Sequence, residues 1–99
     1  MMDFTEHTAQ DVRLIILKAL AQENDHRLNE TILTHVLGTF GHTKAKDYVR
    51  TQMRKLEELG ALRLIEAGSV LIAELKQPGL DHVERRSFLD GVLKPSIGG

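Results

Sequence analysis

Apolar side chains return at intervals of three and four along much of the chain, and the places where that rhythm stops predict helical segments separated by loops and one hairpin. Val12, Ile15, Ile16, Ala19 and Leu20 form the first stripe, widened by Leu14 and Leu17, and predict a helix from about Ala9 to Ala21. Thr8 stands at its N-cap, with Asp11 three places on to face the free amides. Polar Gln22 to His26 reads as a loop. Arg27-Leu28 reads as a very short extended piece before Asn29, the N-cap of a second helix whose start Leu28 and Leu33 would staple. Ile32, Leu33, Val36, Leu37 and Phe40 supply that helix's apolar face, and Gly41 ends it.

A third helix is expected after Gly41-His42-Thr43, running to Leu59 and closed by Gly60. Ala45, Val49, Met53, Leu56 and Leu59 make its inward stripe, with Asp47, Arg50, Thr51, Arg54 and Glu58 on the opposite side. In the segment Leu62 to Leu75, Gly68-Ser69 fits a two-residue hairpin loop. Counting outward from it opposes Ala67 to Val70, Ile65 to Ile72 and Arg63 to Glu74 on one face. Leu64 opposes Ala73 and Leu62 opposes Leu75 on the other. Matched aliphatic and opposite-charge pairs favour this register over a slipped one. A last short helix starts with Pro78 in its first turn and turns Leu80 and Val83 inward.

Three helices, the last two joined by a glycine-containing turn, followed at once by a hairpin, predict an α+β, mainly helical fold. This is the layout of a winged helix-turn-helix: a three-helix bundle with a β-hairpin wing and a short C-terminal helix. One domain is expected over residues 1–90, with 91–99 as a C-terminal tail. The 99 residues, 41% hydrophobic and 27% charged, support a folded core but leave little room for a deep substrate cleft, so no enzyme and no small-molecule substrate are expected. No apolar run approaches the length of a bilayer span and the acidic start Met1-Met2-Asp3-Phe4 is unlike a signal peptide, which places the protein in the cytoplasm with no membrane partner. Without cysteine, stability rests on packing.

The strings Asp3-Phe4, Arg13-Leu14-Ile15-Ile16-Leu17, Arg27-Leu28-Asn29-Glu30 and Phe40-Gly41-His42 carry a resemblance that continues through Val49-Arg50-Thr51, Leu56-Glu57-Glu58-Leu59-Gly60 and Gly91-Val92-Leu93-Lys94-Pro95-Ser96. Through them the chain resembles small proteins of Mu-like phages and prophages, described as winged-helix proteins similar to ArsR-type regulators. The resemblance implies a phage or prophage origin and a winged-helix fold, and brings no activity with it.

Between His42 and Lys55, the cations Lys44, Lys46, Arg50, Arg54 and Lys55 face Asp47 alone, whereas the whole chain carries a net charge of −1. Such a local basic excess is what a reader of double-stranded DNA uses to displace phosphate counterions. The candidate DNA-binding residues are Thr43, Lys44, Lys46, Asp47, Arg50 and Arg54, with Arg50 or Arg54 placed to grip a guanine edge. The same face also fits the solvated side of an amphipathic helix. The wing tip Glu66-Ala67-Gly68-Ser69 has no cation, so a homodimer presenting two third helices would compensate for weak affinity.

Ile65, Ala67, Val70 and Ile72 make the outer face of the hairpin too apolar for open solvent. The candidate covers are the last helix and tail, with Phe88, Val92 and Leu93; a second copy; or another phage or host protein. In the last two cases Ile65, Val70 and Ile72 are an interface, and the chain is a protein-interaction module. His7, His26, His35, His42 and His82 lack paired spacing for metal ligands and read as surface residues, with His42 a candidate phosphate contact. ArsR-type sensors resemble this chain too little in their metal sites to carry one over: cysteines are absent, and Asp81-His82 with Glu84 is an incomplete match. No metal and no cofactor are expected.

Overall fold

In the computed structural model, which describes residues 3–97, the order of elements is α1 (Phe4–Gln22), β1 (Arg27–Asn29), α2 (Glu30–Thr39), α3 (Lys46–Glu58), β2 (Leu62–Ala67), β3 (Val70–Leu75) and α4 (Gln77–Val83). The fold is α+β, with four helices and a three-stranded antiparallel sheet in the order β1-β3-β2. No helix among the described residues is long and apolar enough to cross a membrane.

The hairpin has the expected register throughout, from Ala67 opposite Val70 to Leu62 opposite Leu75. Gly68 has φ +63°, and no positive φ follows at Ser69, the pattern of a turn with glycine at its first central position. The extended piece before α2 is a strand in its own right: Arg27, Leu28 and Asn29 pair with Glu74, Ala73 and Ile72 on the far edge of β3. Glu74 is thereby bracketed by Arg63 Nη2 at 2.7 Å and Arg27 Nε at 2.8 Å, and these two guanidiniums, Arg63 foremost, hold its carboxyl below the usual carboxylate range.

α1 begins at Phe4, five residues before the expected start at Ala9, because Asp3 and not Thr8 caps it, accepting from the Glu6 amide at 2.7 Å. Those first residues are exposed, so no buried periodicity announces them. Asn29 caps α2 as expected, accepting from the Ile32 amide at 2.9 Å. On α2 only Leu33 and Leu37 of the expected apolar face are fully buried; Ile32 and Phe40 are 45% and 64% exposed. They rim an open apolar groove between α1 and α2, floored by Leu14, Ile15, Leu28 and Val36. α3 starts at Lys46 with Ala45 as a cap that offers no side-chain bond. It ends at Glu58, and Gly60, with φ +78°, lets the amides of Gly60 and Ala61 reach back to the carbonyls of Glu57 and Leu56, both at 2.9 Å.

The core lies between the inner face of the sheet and the first three helices. Val12, Ile16, Leu17 and Leu20 of α1 meet Leu33 and Leu37 of α2, Val49, Met53 and Leu56 of α3, and Leu62, Leu71, Ala73 and Leu75 of the hairpin. Residues 91–97 differ from the tail expected of them. Val92 is buried in this core, Pro95 is buried, and the Leu93 amide donates to the Gln10 carbonyl at 3.2 Å. α4 likewise packs on α1. The last helix and terminal segment therefore cover α1, and of the candidate covers Phe88, Val92 and Leu93, Val92 and Leu93 join this core, of which Ile65, Val70 and Ile72 are not part.

Candidate nucleic-acid interface

The basic stretch spreads over the turn before α3 and the outward side of that helix. Thr43, Lys46, Asp47, Thr51, Arg54 and Lys55 are exposed, and the terminal segment leaves them so. No ion pair among the described residues engages Lys46, Arg54 or Lys55. Lys44 is half-buried, its ammonium 4.9 Å from the centre of the Tyr48 ring, an attraction that orders the turn while keeping the charge near the surface. The C-terminal half of α3 is acidic at Glu57 and Glu58, and Glu57 accepts from the Leu64 amide on the free edge of β2 at 2.9 Å. The exposed cations thus stand at both ends of the helix, Lys46 in the first turn and Arg54 and Lys55 toward the last, where Glu57 and Glu58 follow them.

Arg50 is the exception within the candidate set. Its Nε and Nη2 both donate to the carboxylate of Glu30, and Nη2 also donates to the Ser69 carbonyl at the hairpin tip, at 2.6 Å. The two-pronged edge that would grip guanine is therefore occupied. Glu30 is 2% exposed and also accepts from the Leu71 amide at 3.1 Å. The Arg50 hydrogen bonds outweigh desolvation and hold the Glu30 carboxyl at about 2, far below its ordinary 4.5, and raise Arg50 in turn. One buried carboxylate joins the start of α2, the middle of α3 and the hairpin.

Two of the histidines expected at the surface are structural. His42 is half-buried and its Nε2 lies 2.8 Å from Asp11 Oδ2, tying the turn before α3 to α1 instead of standing free for phosphate. His82 is fully buried: the Leu89 amide donates to Nδ1 at 3.0 Å and Nε2 lies 2.9 Å from the Leu93 carbonyl. With Nδ1 accepting, Nε2 carries the proton, so a neutral ring satisfies both contacts. Among the described residues no group of histidines and acids is arranged to hold a metal ion.

Arg13 and Gln52 are further polar residues of the core. Arg13 Nε donates to Gln52 Oε1 at 2.8 Å, and Nη1 donates to the Gly91 carbonyl at 2.7 Å. Their sequence signal is present but easily misread. Arg13 falls among Ala9, Val12, Ile16 and Leu20, and Gln52 among Val49, Met53 and Leu56, each at the spacing of the buried stripe. A polar residue on such a stripe requires a buried partner, and these two are partners of each other.

On the outer face of the sheet, Ile65, Val70 and Ile72 stand together, half-buried by their sheet neighbours, with Arg27, Arg63 and Glu74 at one end. The second candidate surface expected from the hairpin is thus formed as a contiguous patch, on the side of the sheet opposite the core.

Two known proteins are similar to this chain. An uncharacterised protein of Escherichia phage Mu, gp26, is 33% identical over 86 residues, which cover 87% of this chain and 88% of gp26. An uncharacterised protein of Haemophilus influenzae is 40% identical over 63 residues, 64% of this chain, and the match spans 61% of that protein's length. No family model matches the chain. No solved structure matches it.

Proposed function

The chain belongs to the family of the phage Mu protein gp26, and on that footing we propose that it is a winged helix-turn-helix protein that binds double-stranded DNA through α3 and regulates transcription. The order α1-β1-α2-α3-β2-β3 supports the winged-helix assignment: a third helix enters a major groove while the hairpin after it lies along the adjoining backbone. The observation that carries the reading is the set of exposed cations Lys46, Arg54 and Lys55 around α3, which make no ion pair among the described residues, with Lys44 ordered beside them. Lys44, Lys46 and Lys55 meet phosphates. Thr43, Asp47 and Arg54 face base edges, where Asp47 accepts from cytosine and Arg54 takes the guanine contact. Arg50 belongs to the framework behind this surface.

Few cations face DNA, so affinity per chain is modest and a homodimer on adjacent half-sites strengthens it. Fluorescence anisotropy with a labelled mixed-sequence duplex over a salt series tests the reading. The slope of log affinity against log salt should be about −3, at roughly −0.9 per phosphate neutralised. The double variant Lys46→Ala, Arg54→Ala should weaken binding at least about tenfold and flatten the slope by about one to two units. Binding indifferent to both salt and substitution would reject this surface.

A second reading follows from the patch of Ile65, Val70 and Ile72, which is half-buried and stands apart from the core that Leu89, Val92 and Leu93 join. In it the hairpin's outer face docks another protein. Ile65→Glu then removes partner capture while thermal unfolding stays cooperative near the wild-type midpoint. A collapse of the fold would mark that face as internal packing.

A further inference from the structure

We infer that Glu30 and Arg50 form a positioning pair that locks the hairpin tip against α3, so that helix and hairpin meet DNA as one rigid surface. The functional half of this inference rests on the DNA-binding reading above; the lock itself rests on geometry.

β1 supports β3 only at Ile72, Ala73 and Glu74. Beyond Ile72 the hairpin continues to its tip, residues 66–71, as a two-stranded ribbon, and such ribbons are marginally stable in water by themselves. The side-chain bonds of the pair fall on this stretch, where Leu71 is the one side chain in the core and residues 66–69 are exposed: the Leu71 amide donates to Glu30, and the Ser69 carbonyl accepts from Arg50. Arg50 sits in the second turn of α3 and Glu30 is the first residue of α2, where the helix dipole favours a carboxylate. Three elements distant in sequence thus converge on one buried charge. An unpaired carboxylate there would be strongly disfavoured, so the hairpin tip, α3 and Glu30 hold one another in a single arrangement.

A lysine at position 50 separates locking from direct contact. Lysine keeps the positive charge that a phosphate requires but lacks the planar fork that binds Glu30 and Ser69 together. The proposal is tested with Glu30→Gln, Arg50→Lys and Arg50→Ala in the full chain, by amide hydrogen exchange and by anisotropy with the same mixed-sequence duplex. Arg50→Lys retains a cation opposite Glu30 and so keeps the fold when Glu30→Gln does not. We expect the Leu71 amide to exchange about tenfold faster in Glu30→Gln and in Arg50→Lys, with core amides of α1 unchanged. DNA affinity should fall about fivefold in both, while the salt slope stays within half a unit of wild type, because no phosphate contact is lost.

Wild-type affinity in Arg50→Lys, with a loss of about one unit of slope in Arg50→Ala, would overturn the proposal by making Arg50 a phosphate contact. Wild-type exchange at Leu71 in both single variants would overturn it equally. If the wild-type protein binds no duplex, the DNA reading falls by itself, and the exchange at Leu71 alone decides the lock: faster exchange upholds it and equal exchange removes it.

Discussion

Glu30 is the residue whose environment departs most from what its position in the chain suggests. In sequence it is an acid in the first turn of a helix; in the fold it is a buried carboxylate accepting from Arg50 and from the Leu71 amide. Its folded pKa of about 2 lies below the ordinary 4.5, so its stabilisation is complete above pH 4.5 and is lost as the pH falls from there toward 2. Urea unfolding of the wild type and Glu30→Gln should therefore show a stability gap of about 1–3 kcal/mol near neutrality that closes through this range. A gap independent of pH would mean that the carboxylate charge is not what Arg50 and Leu71 stabilise. Arg13 and Gln52 teach a different lesson at the same scale. Both lie on apolar stripes, and their burial was legible as a periodicity; that each is the other's partner, 39 residues away, was not, because nothing local links α1 to α3.

Among the elements, the hairpin was the most legible. Its two-residue loop sets the register, and alternation then assigns each side chain to a face. Helix ends marked by glycine were also readable, whereas the start of α1 was not, since Asp3 caps an exposed first turn. The apolar face of α2 was overestimated because periodicity cannot tell a stripe buried on both flanks from one that borders an open groove. Two glycines inside helices behave oppositely for reasons only packing supplies. A Cβ at Gly79 would lie 2.3 Å from the Ala61 carbonyl oxygen and 2.7 Å from Leu75 Cδ1, whereas one at Gly38 meets nothing within 4 Å. Gly79→Ala should cost about 2–4 kcal/mol, as the α4 backbone must leave its seat on Ala61. Gly38→Ala should add about 0.5–1 kcal/mol by restricting the unfolded chain. Thermal unfolding of the two variants checks both signs, and a stable Gly79→Ala would show that α4 is free to shift.

For the whole molecule, the terminal segment changes the picture most. Residues 91–97, expected to lie outside the domain, place Val92 in the core and a carbonyl on Arg13, while His82 receives the Leu89 amide and contacts the Leu93 carbonyl. A chain ending at Asp90 should lose at least about 3 kcal/mol, from an emptied apolar site and unsatisfied groups on Arg13 and His82. Unfolding in urea measures it, and a midpoint within error of the full chain would return the segment to the status of a tail. The same docking leaves α3 open, since the segment lies against α1.

By itself, the sequence determined the helices, the hairpin and its register, because apolar periodicity and turn residues act over a few neighbouring positions. The basic excess near α3 was likewise a matter of local composition. Only the tertiary structure decided which of those cations are spent: Arg50 is bound to Glu30, while Lys46, Arg54 and Lys55 remain exposed. It alone gave residues 91–97 a place in the core. Partners 20 to 78 residues apart, such as Glu30 with Arg50 or Arg13 with Gly91, meet only when the core brings their elements together. A buried charge then selects the nearest opposite charge in space, whatever its position along the chain.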